Sequence, residues 1–217
     1  MEDFTEKQTR EEIIDKKLSQ IGWFDKYIKR EVNSVKSNFK TKDYVLYGSS
    51  VEKGVDKFID YLLLGEDNSP LAIIEAKKFS ANPQKGRIQA RSYVKDIESQ
   101  IGIVIPIFLT NGNDWIHIDS FGVERVVSGP FNQDILKRRL EMSKTRKDLE
   151  VVKVNTKMLD RTKSISIIKT LEEHFSRGHR KALIAMATGT GKTRVSMALI
   201  DVLLNANYIQ NSNFISD

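Results

Sequence analysis

Glu75 and Lys77 close the apolar run PLAIIEAKK (70 to 78), an acid and an amine two residues apart. In a strand they share a face, because side chains alternate with period two. KFIDYLLLG (57 to 65) comes before it, and the GEDNSP stretch between them is turn-forming, so the pair reads as a hairpin. A turn centred between Asp67 and Asn68 sets Asp60 opposite Glu75. Opposed Cβ atoms lie roughly 4.5 to 5.5 Å apart. Two carboxylates that close repel each other unless a cation lies between them. Hard oxygen ligands suit Mg²⁺, or Mn²⁺ in its place, and such ions keep waters for chemistry. Lys77 can then position or deprotonate a bound water, or stabilise charge on a phosphate. Asp60 and Glu75 are therefore candidate metal ligands, and Lys77 a candidate catalytic amine. The plainer alternative is an edge hairpin whose Glu–Lys pair faces solvent, and a one-residue slip would undo the pairing. Asp43 and Asp56 are weaker substitutes for Asp60, since neither falls opposite Glu75.

A second chemistry sits in ALIAMATGTGKTRVSMALI, residues 182 to 200. An apolar strand runs into Thr188, Gly189, Thr190, Gly191, Lys192 and Thr193, then into a helix. The glycines let backbone N–H groups wrap a phosphate, and the helix N-terminus favours negative charge there. Lys192 would reach the β- and γ-phosphates of ATP, and the Thr193 hydroxyl would ligate its Mg²⁺. The strict phosphate-loop pattern wants glycine where Met186 stands; ATGTGKT instead resembles motif I of superfamily-2 helicases and translocases. Hydrolysis also needs an acidic strand end and an arginine finger. Nothing after Thr193 supplies them, so ATP turnover by these 217 residues is not expected.

Around these groups the pattern predicts their supports. REEIIDKKLSQIGWF places Ile13, Ile14, Leu18 and Ile21 at helical spacing, with Gly22 closing the helix. DYVLYG (43 to 48) reads as a first strand. NPQKGRIQARSYVKDIESQ (82 to 100) begins as loop and continues as an amphipathic helix. IGIVIPIFLTNG is a buried strand ending in a turn, and DWIHID its hairpin partner. The order helix, three strands, helix, two strands predicts an α/β mixed sheet with helices against it. From Phe131 the composition turns polar and helical, and 131–160 reads as a connector. A helix SISIIKTLEEHF, a strand KALIAMA, the phosphate loop and a helix RVSMALIDVLLNA follow, and NFISD reads as the start of another strand.

Composition narrows the classes. Forty per cent apolar residues suit a globular core, and no apolar run approaches a membrane span. The charged N-terminus has no export signal, so a cytoplasmic location is expected. Cysteine is absent, which excludes disulfides, thiolate catalysis and cysteine-based zinc sites. Three scattered histidines do not make a metal site. Net charge is +6, and between Lys137 and Lys163 ten Lys/Arg face four Asp/Glu. That excess favours a polyanionic partner, nucleic acid first, although a solvated helical face is the commoner meaning of such a run.

Asp60 followed by Glu75-Ala-Lys77 at the end of an apolar strand resembles the PD-(D/E)xK nuclease superfamily, with Ile59 where the proline would stand. Gln89 and Tyr93, four apart on one helical face, match the QxxxY element of its RecB-like branch, where they would support the site. Such sites often take an acidic residue from the first helix. Glu6, Glu11 and Glu12 are the candidates, with Glu12 preferred as a third metal ligand. TREEIIDKKLSQIGW, DYLLLGEDNSPLAIIEAKK, FLTNG and MATGTGKTR together resemble the opening of the R subunit of type I restriction enzymes, the HsdR type. RTKSISIIK lacks the Gln of the adenine-contacting element that such subunits carry.

The resemblance implies a restriction-endonuclease-like mixed sheet flanked by helices, followed by a truncated RecA-like P-loop segment. It implies a nuclease domain over 1–130, a basic helical connector over 131–160, and the start of a helicase-like motor over 161–217. It further implies Mg²⁺-dependent cleavage of double-stranded DNA in an ATP-dependent machine, with methylation (M) and specificity (S) subunits as partners. Two alternatives stand beside it: a RecB-like helicase–nuclease of DNA repair, and a non-catalytic module that binds DNA or docks a motor.

Overall fold

The computed structural model describes residues 4–46, 57–159, 162–179, 181–209 and 212. They divide into two compact units, residues 1–140 and 141–217.

The first unit opens with an unbroken helical run: α1 (Glu6–Gln8), a π-helical stretch (Thr9–Ile14) and α2 (Asp15–Gln20). Thr5 starts it with a capping box, its hydroxyl accepting from Gln8 N while the Gln8 side chain accepts from Thr5 N at 3.0 Å. Ile14 and Leu18 are fully buried, as the spacing predicts. Gly22 ends the run at φ 87°, a conformation that disfavours any side chain.

Six strands follow in one sheet, ordered as in the sequence: β1 (Ile28–Asn33), β2 (Phe58–Leu64), β3 (Pro70–Ala76), β4 (Ile107–Thr110), β5 (Trp115–Ile118) and β6 (Glu124–Val127). Neighbours are antiparallel except β3 and β4, which run parallel because α3 (Arg87–Ile101) carries the chain back between them. The sheet is mixed, as expected. All seven residues of β3 are buried, which is why Pro70–Ile74 read as a continuous apolar run rather than an alternation before Glu75. Burying each such Leu or Ile contributes about 1.5–3 kcal/mol, so β3 anchors the core.

The β2–β3 turn is tight. Gly65 N donates to Ser69 O, Asn68 N donates to Gly65 O, and the Asp67 carboxylate accepts from Ser69 N. Asn68 takes φ 59°, which asparagine tolerates better than most residues. A register irregularity falls between Leu63 and Leu64, next to the turn. Beyond it Leu62 faces Ile73 and Tyr61 faces Ile74. One step further along that register stand Asp60 and Glu75, the pairing that a turn at Asp67–Asn68 implies.

Two strands differ from expectation. DYVLYG does not form the first strand: Asp43 makes one bridge to Asn38 and Leu46 one to Val32, while residues 47–48 lie outside the described set, as does Asp56. The edge is instead Ile28–Asn33, whose central Lys-Arg-Glu hides the strand pattern. β6 at the opposite edge is short and mostly half-exposed, with no burial alternation to reveal it.

The expected connector is divided between the two units. Leu136 and Leu140 of α4 (Gln133–Thr145) are buried in the first core. Leu149 and Leu159 are buried in the second, with Ile168 of α5 (Thr162–Ser176) and Val195, Ala198 and Val202 of α6 (Lys192–Asn205). KALIAMA carries no strand ladder, and Leu183 is 97% exposed. A strand needs a hydrogen-bonded neighbour, and no described residue pairs with this one. NFISD lies outside the described residues.

Glu172 on α5 is buried, with one carboxylate oxygen lacking a hydrogen-bond partner. Burial raises its carboxyl above the ordinary value of 4.5, Glu150 adds to the rise and Lys169 opposes it. A raised acid stabilises the fold fully below its unfolded value, and that contribution is lost as pH rises through the folded one. Glu172→Gln should flatten this loss. Melts of the second unit should coincide with wild type near about pH 4, and the variant should melt higher at about pH 8.

Candidate active site

β2 and β3 bring Asp60 and Glu75 together, on the side of the sheet where Gly86 and α3 lie. Asp60 Oδ2 accepts from the backbone N–H of Ala76 at 2.7 Å, which locks it beside the residue that follows Glu75. Lys77 Nζ donates to Glu75 Oε1 at 2.5 Å and lies 3.5 Å from Gln89 Oε1. Gln89 Nε2 in turn donates to the Tyr93 hydroxyl. Glu75, Lys77, Gln89 and Tyr93 thus form one hydrogen-bonded chain running from β3 to α3. Spacing four apart on α3 puts the last two on one face.

The backbone around Lys77 is pinned from three sides. Lys77 N donates to Thr110 O at 2.8 Å, extending the β3–β4 ladder by one residue. Asn111 Nδ2 donates to Phe79 O and Ala81 O, each at 3.0 Å, and clasps the loop that leaves β3. Gly112, at φ 90°, sits where a Cβ would meet Thr9 and Ile13 at 3.1 Å. The Thr-Asn-Gly turn therefore joins the exit of β3 to the first helix. That helix delivers Arg10, whose guanidinium reaches Asp60 Oδ1 at 2.9 Å and Glu31 Oε1 at 3.1 Å.

Electrostatics mark the pair. The Glu75 side chain is 1% exposed, and its Oε2 has no hydrogen-bond partner. Burial, then the Asp60 charge, push its carboxyl up to about 8 despite Lys77. Burial also raises Asp60, against the Ala76 N–H and Arg10, which lower it. For Lys77 burial works downward, but Glu75 outweighs it and the net shift is upward, so the amine stays charged. Burial pushes the Tyr93 phenol up, so it remains a neutral hydroxyl. A buried carboxylate with an orphan oxygen, facing a second acid, is a site short of positive charge. Those two acids fit a hard divalent cation that keeps waters, although no group of three or more His, Cys, Asp or Glu converges on one point among the described residues. Beside Asp60 opens a cleft of about 440 Å³ lined by Arg10, Lys57, Gln89, Ser92 and Tyr93 among others.

In the second unit, Gly189 (φ 75°) and Gly191 (φ 89°) shape the loop before α6. Thr190 Oγ1 donates to Ala187 O at 2.6 Å. Gly191 caps α6 without a side chain, and Thr188, Lys192 and Thr193 are exposed around that helix start. The first N–H groups of α6, which have no intrahelical acceptor, therefore stand at an exposed helix start without a side-chain cap, as an anion site requires.

Residues 157–217, about a quarter of the chain, match the family described as type III restriction enzyme, res subunit. No curated protein matches the chain. Among solved structures, a fragment from Vibrio vulnificus YJ016, described as an HsdR subunit of a type I restriction enzyme, is 26% identical. The TM-score is 0.51, over 95% of this chain and 39% of that one. This chain is HsdR-like. It spans well under half of the neighbour's length, and among its described residues no helix is long and apolar enough to cross a membrane.

The HsdR-like chain brings Asp60, Glu75, Lys77, Gln89 and Tyr93 together, but not Glu12. Glu12 is 56% exposed and pairs with Lys16 at 2.8 Å, an exposed i,i+4 contact that lowers its pKa. Glu11 likewise pairs in solvent, with Lys7. Glu6 is the first-helix acid whose charge acts on Asp60, Glu75 and Lys77. Glu12 stands two residues from Arg10 and therefore faces the other side of the helix, whereas Glu6, four residues before Arg10, shares its face. Arg10 and Glu31 were invisible as site residues: nothing in sequence spacing links helix, edge strand and Asp60.

Proposed function

We propose that the first unit of this HsdR-like chain is a Mg²⁺- or Mn²⁺-dependent nuclease that cuts double-stranded DNA as part of a type I restriction enzyme R subunit. The observation that carries the reading is the Asp60–Glu75 pair on adjacent strands, with an orphan Glu75 oxygen and Lys77 bonded to its other oxygen. A bound cation would supply Lewis acidity and an activated water at Asp60 and Glu75. Lys77, held by Glu75 and near Gln89, presents a fixed ammonium where a phosphate oxygen gains charge. Gln89 and Tyr93 hold that amine in place rather than touching the scissile bond. The cleft beside Asp60, with Lys57 and Arg10 in its wall, suits the phosphate backbone entering the site.

In the second unit, Thr188–Thr193 are proposed to bind ATP with Mg²⁺, as the res-subunit match supports. The methylation and specificity subunits are the proposed partners of the whole assembly, and its setting the cytoplasm. A calorimetric titration with MnCl₂ tests the nuclease reading. Wild type should bind Mn²⁺, and Glu75→Gln should weaken binding by at least about tenfold, as loss of a charged ligand does. Equal binding by both proteins would remove the basis of the proposal.

A further inference from the structure

Arg10 and Glu31 converge on Asp60 through two unusual stretches of backbone. Arg10 lies in the π-helical stretch, a feature that concentrates at functional sites. Glu31 takes φ 54° within β1, where a side chain is strained. The register pairs Arg30 with Tyr61 and Val32 with Ile59, so Glu31 stands opposite Asp60 but out of the ladder. The strain turns its carboxylate toward Arg10 instead of leaving it in strand geometry. One guanidinium nitrogen then bonds Asp60 and the other bonds Glu31, at 2.9 and 3.1 Å. Each bond can break while the other holds, which a lysine could not arrange.

We propose that Arg10 is a resident counter-ion: it holds Asp60 in the cation-free protein and withdraws onto Glu31 when a divalent cation takes Asp60. This rests on reading Asp60 and Glu75 as the metal pair. In the cation-free state Asp60 has no idle oxygen, since Arg10 bonds Oδ1 and the Ala76 N–H bonds Oδ2. An incoming dication is repelled by the guanidinium over a few ångströms. Glu31 is half-exposed at the wall of the open cleft and offers the guanidinium a place to go. The exchange leaves each acid with a cation and no charge stranded. Arg10 is a positioning residue in this scheme, acting through Asp60.

The test is a double-mutant cycle read by MnCl₂ calorimetry on the whole chain. Arg10→Gln should bind Mn²⁺ about tenfold tighter, because the competing charge is gone. Glu31→Gln should bind about threefold weaker, because Arg10 has lost its alternative partner. In the Arg10→Gln background, Glu31→Gln should change affinity by less than about twofold, since Glu31 acts through Arg10. If Arg10→Gln is too unstable for cation-free titration, its melting temperature should rise more on adding Mn²⁺ than that of wild type. Weaker binding by Arg10→Gln, or additive effects of the two changes, overturns the exchange and leaves the metal pair standing. Equal binding by wild type and Glu75→Gln overturns both.

Discussion

Lys77→Ala should abolish DNA cleavage while leaving the protein folded. The ammonium it removes lies 2.5 Å from Glu75 Oε1, on the face shared with Asp60. The other cations in the cleft wall are engaged elsewhere: Arg10 by Asp60 and Glu31, and Lys57 by Ser92 and Asp96. A fixed positive group at a developing phosphate charge is worth on the order of 10²–10³ in rate, so loss of at least that size is expected. The fold should survive, because Glu75 left without its amine can take up a proton: burial and Asp60 already push it to about 8. Initial rates of supercoiled plasmid nicking, beside a thermal melt, make the measurement. A variant cutting within about threefold of wild type would remove Lys77 from the chemistry. Asp60→Ala should also stop cutting, but through the cation. Its Mn²⁺ binding should fall, whereas Lys77→Ala should keep most of its binding.

Gly86→Ala should disable the same site from outside it. Gly86 precedes α3 at φ −80°, where alanine is at ease, so its backbone conformation gives glycine no advantage. Its space does. A Cβ there would stand 2.5 Å from Glu75 Cγ and 3.3 Å from Lys77 Cε. β3 is buried along its whole length and cannot retreat, so the Glu75 stem must move. Overpacking of this kind costs about 1–3 kcal/mol. A displacement near 1 Å at a catalytic group costs on the order of 10²-fold in rate. Gly102→Ala is the contrasting change. Gly102 has open space around it but φ 70°, so alanine there should cost about 1 kcal/mol with cleavage unchanged. Stability and activity should therefore separate between the two variants. Wild-type cutting by Gly86→Ala would show that Glu75 and Lys77 can shift without consequence.

The sequence made the hairpin and its register legible because turn chemistry and strand length agree. Its one irregularity, between Leu63 and Leu64, lies close to the turn and does not displace Asp60 from Glu75. Gln89 and Tyr93 were readable because α3 is a regular helix and period 3.6 holds. Glu12 misled because, two residues from Arg10, it falls on the other side of the first helix, where it meets Lys16. Ile28–Asn33 was hidden by Lys29, Arg30 and Glu31, of which Arg30 pairs with Asp15 and Asp25 and Glu31 with Arg10, so no binary pattern remains. Arg10 and Glu31 depend on tertiary contacts 50 and 21 residues apart in sequence, which no local signal reports. KALIAMA has the composition of a strand, but composition does not provide a partner for its backbone.

The clasp made by Asn111 has a consequence for biosynthesis. It ties the segment leaving Lys77 to a turn some thirty residues later, and Gly112 seats the helix that carries Arg10. During translation, Asp60, Glu75 and Lys77 emerge well before the turn that immobilises them. Contacts of such long range form late, since loop closure must precede them. A nascent chain still short of Gly112 therefore holds these side chains without their setting, and the candidate site matures only when most of its unit has left the ribosome.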